Sequence, residues 1–204
     1  MVTVKLTFIL GYIMKIITKF LILSFFLTSH SLAEVKMGAE GGLVWADIRA
    51  EETAQILANA SGSTVSYEYD EATWMGRIFA DYAFNNEVHA EVGYFLTGSL
   101  DATYTISGAS ATEGYDAMGI DLAVVVHQDD VYFKAGMHSS ELNGAASLTI
   151  GGTTYNITES ISGSGFLVGG GVELDDTRVG LTYYSDMGGD ADSDMMFIYY
   201  GAVF

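Results

Sequence analysis

The strongest constraint on this chain is an alternation of apolar and polar residues that begins near residue 35 and continues to the C-terminus. A period of two is typical of β-strands, whose successive side chains point to opposite faces. One set of alternating positions is almost purely apolar, with its aromatic residues mostly near the strand ends. It contains Leu43, Trp45, Trp74, Ile78, Tyr82, Phe84, Val88, Val92, Tyr94, Leu96, Met118, Ile120, Leu122, Val124, Val126, Val131, Phe133, Met137, Phe166, Val168, Val172, Leu174, Val179, Leu181, Tyr183, Met196, Ile198, Tyr200 and Phe204.

Clusters of turn-forming residues divide this pattern into eight predicted strands. The strands cover about residues 35–49, 72–85, 87–100, 115–127, 131–142, 163–174, 177–185 and 194–204. Tight turns at Asn85-Asn86, Gln128-Asp129-Asp130 and Asp175-Asp176 use residues that tolerate turn geometry. The hairpin unit therefore repeats every 44 to 46 residues.

The remaining connections, at about 50–71, 101–114, 143–162 and 186–193, are long. Helical propensity at Ala50–Ala60 is brief and is flanked by strand signals, so we assign it to a connection. Short turns at one end and long loops at the other predict an all-β fold, an eight-stranded antiparallel up-and-down transmembrane β-barrel. The short turns would be periplasmic and the long loops extracellular.

The second face of the predicted strands mixes glycines, large aromatic residues and charges. Its five acids and four bases nearly cancel, whereas the rest of the chain after residue 33 has 21 acids and only Arg49 as a base. Charges in a narrow lumen must be paired, because an unpaired buried ion costs several kcal/mol. The sequence therefore predicts a lumen ion-pair network of Lys36, Glu40, Arg77, Asp81, Glu91, Asp121, Lys134, Glu173 and Arg178.

The N-terminal 33 residues have the three parts of a secretory signal peptide. A basic opening at Met14–Lys19 precedes an apolar core at Phe20–Leu27, and Ser31-Leu32-Ala33 suits cleavage after Ala33. Met14 is the better start, and the apolar core is too short for a membrane anchor. The mature domain, residues 34–204, then keeps five basic and 26 acidic residues, for a net charge of −21.

Composition excludes several classes of protein. There is no Cys, so neither a disulfide framework nor a thiolate site is possible. The acidic balance disfavours a nucleic-acid partner, because neutralising phosphates needs clusters of Lys and Arg. Half of the residues are hydrophobic, which argues against disorder despite the charge.

The last predicted strand ends in Phe204, with Tyr200, Ile198 and Met196 on the same face. Together with the stretch 164–186, it resembles the C-terminal hairpins of small bacterial outer-membrane barrels of the OmpA-transmembrane and OmpX type. Ala202 departs from the bulkier residue common at its position. The resemblance implies Gram-negative outer-membrane residence, both termini in the periplasm, and recognition of the four aromatic and apolar residues by the barrel assembly machinery. It brings no catalytic set.

Two alternatives concern the interior of the barrel. A soluble lipocalin-like periplasmic carrier would place the apolar face inside, and pattern alone does not fix which face points inward. A narrow solute channel would leave a path between the lumen charges. Eight strands leave an interior just wide enough for side chains, so we expect a closed lumen.

Two further groups of residues could carry chemistry. His138 and Ser140 share a strand face near Glu141, which suggests a lipid A-modifying enzyme, although their face is the lumen rather than the bilayer. No two histidines have metal-ligand spacing, so we interpret His89 and His127 as lumen or interface polar residues. Asp190, Asp192 and Asp194 alternate as Ca²⁺ ligands can, without the Gly and distal Glu of an EF-hand. We predict no enzyme activity, catalytic residue or cofactor.

The long connections carry the best indication of function. Residues 147–158 form a predicted hairpin with Gly151-Gly152 at its turn, and Tyr104–Ile106 can extend the preceding strands. A protruding sheet with a free edge can add a strand from another protein, or it can simply stiffen the loops. We expect a monomer whose loops serve adhesion, colonisation or envelope integrity. Its partners would be outer-membrane lipids, lipopolysaccharide and an extracellular protein or host-surface ligand.

Overall fold

The computed structural model describes residues 35–47, 49–107, 109–150, 152–189 and 193–204. Strands account for most of them, with one α-helix and one short 3-10 helix, Met187–Gly189. The helix α1 is Ala50–Ser61. The strands are β1 (Val35–Ala46), β2 (Ser66–Tyr69), β3 (Ala72–Ala83), β4 (Val88–Thr97), β5 (Leu100–Ile106), β6 (Ala109–Gln128), β7 (Val131–Ile150), β8 (Thr153–Leu174), β9 (Thr177–Tyr184) and β10 (Met195–Val203).

Eight of the strands close into a ring. The sheet order is β2-β5-β6-β4-β3-β1-β10-β9-β8-β7, and a further pairing of β6 with β7 closes it. Every pairing is antiparallel. The first and last strands are neighbours, and the backbone of Phe204 exchanges two hydrogen bonds with Met37, at 2.7 and 2.8 Å. A closed ring leaves no unpaired edge among its strands.

All eight predicted strands are confirmed, and the predicted hairpin over 147–158 is observed as extensions of β7 and β8. These two strands run together from Val131↔Val172 to Ile150↔Thr153. Two of the short turns hold aspartates in the left-handed region, with φ of 53° at Asp129 and 51° at Asp175. Asp is one of the few residues that enter this region at low cost.

The assignment of 50–71 to a plain connection is wrong, whereas the predicted strand extension at Tyr104–Ile106 is confirmed. Residues 50–61 form α1, β5 pairs with β6, and β2 adds a further strand beside β5. A 12-residue helix is marginal alone and depends on tertiary packing. Here Ala50 and Ala54 of α1 pack against Ala102 and Tyr104 of β5, with Leu57, Val65 and Ala111 around them. The pattern of residues within α1 does not predict that contact, because the residues of β5 are distant in sequence.

The apolar face of the ring points outward. Leu122 is 62% exposed, Phe133 60% and Met137 66%, whereas the charged residues of the opposite face are 0 to 4% exposed at Glu40, Arg77, Asp81, Glu91, Asp121, Lys134 and Arg178. This arrangement contradicts the lipocalin-like alternative, which needs the apolar face inside.

None of the helices in the described residues is long and apolar enough to cross a membrane. The predicted signal peptide lies outside the described residues.

Candidate functional site

The centre of the lumen is an ion-pair network around Arg77. Its Nη1 donates to Glu40 Oε2 at 2.9 Å, and its Nη2 donates to Glu91 Oε1 at 2.8 Å. Its Nε and Nη2 form a bidentate pair with Asp121, at 2.8 and 2.6 Å. Strands β1, β3, β4 and β6 are therefore joined through one guanidinium. A bidentate pair of this kind fixes the orientation of the guanidinium and also balances its charge.

Arg178 connects the same carboxylates from the other side of the ring. Its Nη1 donates to Glu91 Oε2 at 2.5 Å and to Glu40 Oε1 at 3.3 Å. Its Nε donates to Glu173 Oε2 at 2.9 Å, and its Nη2 lies 4.0 Å from Asp81 Oδ2. The structure thus places both arginines on one pair of glutamates, Glu40 and Glu91.

Lys134 completes this cluster more loosely. Its Nζ lies 3.8 Å from Glu91 and 3.9 Å from Glu40, and it sits 5.0 Å from the centre of the Tyr199 ring. Lys36, in contrast, is only half-buried and makes no ion pair with the described residues. The structure therefore brings together eight of the nine predicted network residues and leaves out Lys36.

Aromatic side chains fill the lumen around these charges. Phe79 lies under both guanidinium groups, 5.1 Å from Arg77 and 4.7 Å from Arg178. The hydroxyls of Tyr132 and Tyr199 share a hydrogen bond of 2.5 Å. Among the described residues, six aromatic side chains in the lumen are 0 to 2% exposed: Phe79, Phe95, Tyr132, Tyr184, Phe197 and Tyr199. This filling supports a closed lumen rather than a channel.

A glycine makes room for the central arginine. A Cβ at Gly93 would lie 2.5 Å from Arg77 Nη2 and 2.6 Å from its Nε. Both atoms are held by carboxylates, so neither can move away without breaking an ion pair. The glycines on the mixed face are thus part of the same arrangement as the charges.

The residues considered for lipid modification do not form a catalytic set. His138 and Ser140 are 3 and 4% exposed and face the lumen. His138 Nε2 lies 2.6 Å from the carbonyl oxygen of Ser185, and the Ser140 hydroxyl accepts a hydrogen bond from the Gly188 amide at 2.9 Å. Glu141 is exposed on the opposite face, where Ser160 donates to it. The geometry offers the bilayer no access to a nucleophile.

The short-turn end is the end of the barrel that carries the turns after β3, β6 and β8. Three residues lie close together there, an arrangement that the sequence does not predict. Asp81 on β3, His89 on β4 and His127 on β6 place their ligand atoms within 4.8 Å of one another. The two imidazole rings are 4.4 Å apart between centroids. The spacing of the two histidines along the chain does not predict that they meet, but the register of β4 and β6 does. His89 of β4 pairs with Val125 of β6, so His127, two residues further along β6, lies diagonally across from His89.

The predicted cation site at Asp190, Asp192 and Asp194 is described only in part, because Asp190 and Asp192 lie outside the described residues. Asp194 accepts hydrogen bonds from the Tyr183 hydroxyl at 2.5 Å and the Asp186 amide at 3.1 Å. These contacts anchor the connection before β10. They give Asp194 a structural role.

Beyond the ring, at the opposite long-loop end, β2, β5 and the ends of β6, β7 and β8 form what we name the extension sheet, residues 66–69, 100–106, 109–115, 144–150 and 153–162. Helix α1 covers the part formed by β5 and β6. Tyr104 donates to Glu113 there, and burial together with that carboxylate raises the tyrosine pKa above its usual range. A cavity of about 280 Å³ lies between this sheet and the lumen, lined by Tyr115, Leu142, Ile161, Met187, Met195 and others.

The extension sheet ends in an edge strand. β8 pairs with β7 along its whole length, but β9 pairs with β8 only from Leu167 to Leu174. Within the described part of the chain, no strand pairs with the other side of residues 153–162. The 3-10 helix packs against its last two residues, Ile161 and Ser162, so the open edge is 153–160. Tyr155 and Ile157 are 60 and 70% exposed on this edge. An unpaired edge with exposed apolar residues is available for strand addition.

The four residues of the predicted assembly signal lie on the outer face of β10. Met196, Ile198, Tyr200 and Phe204 are 44 to 75% exposed. They alternate with Phe197 and Tyr199, which fill the lumen. The strand therefore presents one continuous apolar stripe outward while its other face closes the core.

The exposed apolar belt, the charged interior and the closed ring together define an integral β-barrel of the outer-membrane class. Ten strand residues at about 3.3 Å each, tilted by about 40°, rise about 25 Å, which is the height of the apolar band in such barrels. The short-turn end is then periplasmic and the long-loop end extracellular.

Known structures of this class match the fold. Ail, the attachment invasion locus protein of Yersinia pestis, superposes with a TM-score of 0.53 at 11% identity, over 84% of this chain and 99% of Ail. A second Ail structure gives 0.50 at 13% identity over the same shares. OprG of Pseudomonas aeruginosa gives 0.48 at 8% identity, over 83% of this chain and 95% of OprG. No protein-family model matches the sequence, and no curated protein matches it significantly.

Proposed function

We propose that this outer-membrane protein is non-enzymatic and binds an extracellular protein partner through the edge of its extension sheet, in adhesion or colonisation. The observation that carries the proposal is the unpaired edge of β8 at residues 153–160. Backbone groups on such an edge supply affinity for an extended segment of a partner, and side chains along it supply specificity. Tyr155 and Ile157 are the exposed anchors.

The negative charge of the extension sheet and α1 limits which partners can bind there. The extension sheet and α1 carry Glu51, Glu52, Glu68, Asp101, Glu113 and Glu159, with Arg49 as the base beside them. A structure of Ail holds the heparin analogue sucrose octasulfate. A polyanion of that kind would be repelled here, so we expect a neutral or basic protein segment instead. Lipopolysaccharide would contact the same acids only through bridging divalent cations.

The membrane setting suggests the remaining partners. Lipid chains would surround the apolar belt, and the assembly machinery would bind the outward stripe of Met196, Ile198, Tyr200 and Phe204. We also propose that the protein is a monomer. Faster migration of the unboiled mature chain on SDS gels, compared with the boiled chain, would support a folded outer-membrane barrel. A single band in the soluble periplasmic fraction would contradict it.

The adhesion experiment compares the chain with a shortened variant. Residues 147–156 are replaced by Asn-Gly, which keeps the Ala146↔Ile157 pair and removes the tip of the hairpin. Each protein is expressed at the surface of a non-adherent Gram-negative host and is checked for heat modifiability. We expect the shortened variant to lose about tenfold or more of the binding to immobilised extracellular-matrix proteins or cultured cells.

A point variant makes the test sharper. Ile157→Arg changes the exposed apolar row of the edge, whereas Thr158→Arg places the same charge on the opposite, polar face of the strand. Binding that falls with Ile157→Arg and persists with Thr158→Arg supports the edge as the docking site. Equal binding by all the variants would overturn the proposal.

A further inference from the structure

We propose that Asp81, His89 and His127 form a binding site for a divalent transition metal, Zn²⁺ above all, at the periplasmic end of the lumen. Their ligand atoms lie within 4.8 Å of one another. Three bonds of about 2.1 Å in tetrahedral geometry separate ligand atoms by roughly 3.4 Å, so small side-chain rotations suffice. Two imidazoles and one carboxylate are a donor set that Zn²⁺ prefers and that Ca²⁺ and Mg²⁺ do not.

The fold holds these residues in one row. Asp81 pairs with Glu91, and His89 lies two residues before Glu91 on the same face of β4. Val125 pairs with His89, and His127 lies two residues beyond Val125 on β6. The three side chains therefore follow a diagonal across three neighbouring strands of a closed barrel. A rigid sheet is a precise support for a metal site.

Each of the three residues has a buried polar atom that makes no hydrogen bond. Asp81 Oδ1, His89 Nδ1 and His127 Nε2 are all buried, and none forms a hydrogen bond within the described part of the chain. His89 Nδ1 and Asp81 Oδ1 face each other at 2.7 Å as an ion pair. His127 Nε2 has no such contact, and a buried polar atom without a partner is rare in folded proteins and suggests a ligand.

Charge in the lumen also favours a cation there. Five carboxylates, Glu40, Asp81, Glu91, Asp121 and Glu173, face three bases, Arg77, Lys134 and Arg178. One divalent ion balances the difference. Arg178 is the nearest competing cation, but its Nη2 lies 4.0 Å from Asp81 Oδ2 and 2.8 Å from Glu173. Asp81 Oδ1 faces His89 Nδ1 instead, at 2.7 Å.

The ion has a route to the site. A recess at the short-turn end is lined by Lys36, Phe84, Asn85, Glu87 and His89, and the His89 side chain is 13% exposed. Three protein ligands leave a fourth position for water on this side. Among the residues that line the recess, the positive charge of Lys36 is opposed by Glu87.

The test uses the mature chain without a polyhistidine tag, refolded in detergent and titrated with Zn²⁺ by isothermal calorimetry. We expect one ion per chain. His89→Gln and His127→Gln should each weaken binding by about 100-fold, since loss of an outer-shell partner alone costs about 10–100-fold. His138→Gln is the matched control, because it removes a lumen histidine at the other end of the barrel and should bind as the wild type does.

X-ray absorption of the zinc complex provides a second readout, which should show two imidazole ligands. Each variant is first checked for heat modifiability, so a loss of fold is separated from a loss of the site. Wild-type protein that binds no Zn²⁺, or a His89→Gln/His127→Gln double variant that binds as well as the wild type, would overturn the proposal. Zn²⁺ binding that persists in the double variant would come from the acidic loops.

Discussion

The two ends of β7 and β8 show how one pair of strands serves two environments. Within the ring, Phe133, Met137 and Phe166 point outward and are more than half exposed. Beyond the ring, the outward positions of β8 are polar, with Ser160 and Ser162 among them. The strands and their register continue without interruption, so only the polarity of the two faces changes.

This reversal marks the limit of the membrane. In lipid, the apolar face must point out and the polar groups must satisfy one another inside. In water, the apolar residues lie on the other face of the strands. There Leu142 and Ile161 line the cavity, and Tyr155 and Ile157, 60 and 70% exposed, stand on the same face as Ile161. The arginines and carboxylates at the centre of the lumen are paired with one another, whereas the extension sheet retains an unpaired edge.

The largest expected effect comes from breaking the lumen network. Arg77→Met removes the group that pairs with Glu40, Glu91 and Asp121. Glu40 and Glu91 keep Arg178, whereas the buried Asp121 carboxylate keeps only the Tyr184 hydroxyl, at 3.2 Å. We expect a loss of about 3–5 kcal/mol in the free energy of unfolding. The measurement is equilibrium urea unfolding of the refolded barrel in detergent or short-chain lipid.

Lys134→Met is the matched control for that variant. Lys134 is equally buried, but its contacts of 3.8 and 3.9 Å are longer than the 2.6 to 2.9 Å contacts of Arg77. It should therefore cost clearly less. If the two variants cost the same, burial of charge alone, and not the bidentate geometry, would account for the stability.

A second prediction compares two exposed apolar residues in the two regions. Leu122 is 62% exposed in the middle of β6 and Ile157 is 70% exposed on the extension sheet. Leu122→Arg should cost about 2–4 kcal/mol in a bilayer, because it places a charge at mid-depth on the lipid face. Ile157→Arg should change the free energy of unfolding by less than about 0.5 kcal/mol. Equal costs in urea titrations of the two variants would contradict the membrane boundary proposed here.

The ring could be predicted from the sequence because its signals are local. Alternation over ten residues fixes a strand and its two faces, and pairs such as Asp129-Asp130 fix a turn. The extension of β7 and β8 was also predictable, since Gly151-Gly152 separates two alternating segments. Helix α1 and strand β2 were not, because their stability comes from contacts with Ala102 and Tyr104 that are distant in sequence.

The candidate metal site shows the same limit. His89 and His127 are 38 positions apart in a chain whose only metal-like spacing is the aspartate series at 190–194. Nothing along the sequence pairs the two histidines. The pairing follows once β4 and β6 are known to be neighbours with Val88 opposite Val126. Long-range register, which local periodicity leaves undetermined, is what builds a site from separate strands.

The smallest expected effect on the barrel itself comes from a change confined to α1. Gly62 ends the helix with φ of 64°, its amide donates to Ala58 at 2.9 Å, and a Cβ there would meet no atom within 4 Å. Gly62→Ala therefore adds backbone strain alone, about 1 kcal/mol. Gly41 in β1 has equally open space without a positive φ, so Gly41→Ala is the matched control. We expect faster amide exchange across α1 in Gly62→Ala and an unchanged urea midpoint for the barrel in both. A lowered midpoint in Gly62→Ala would mean that α1 and the ring unfold as one unit.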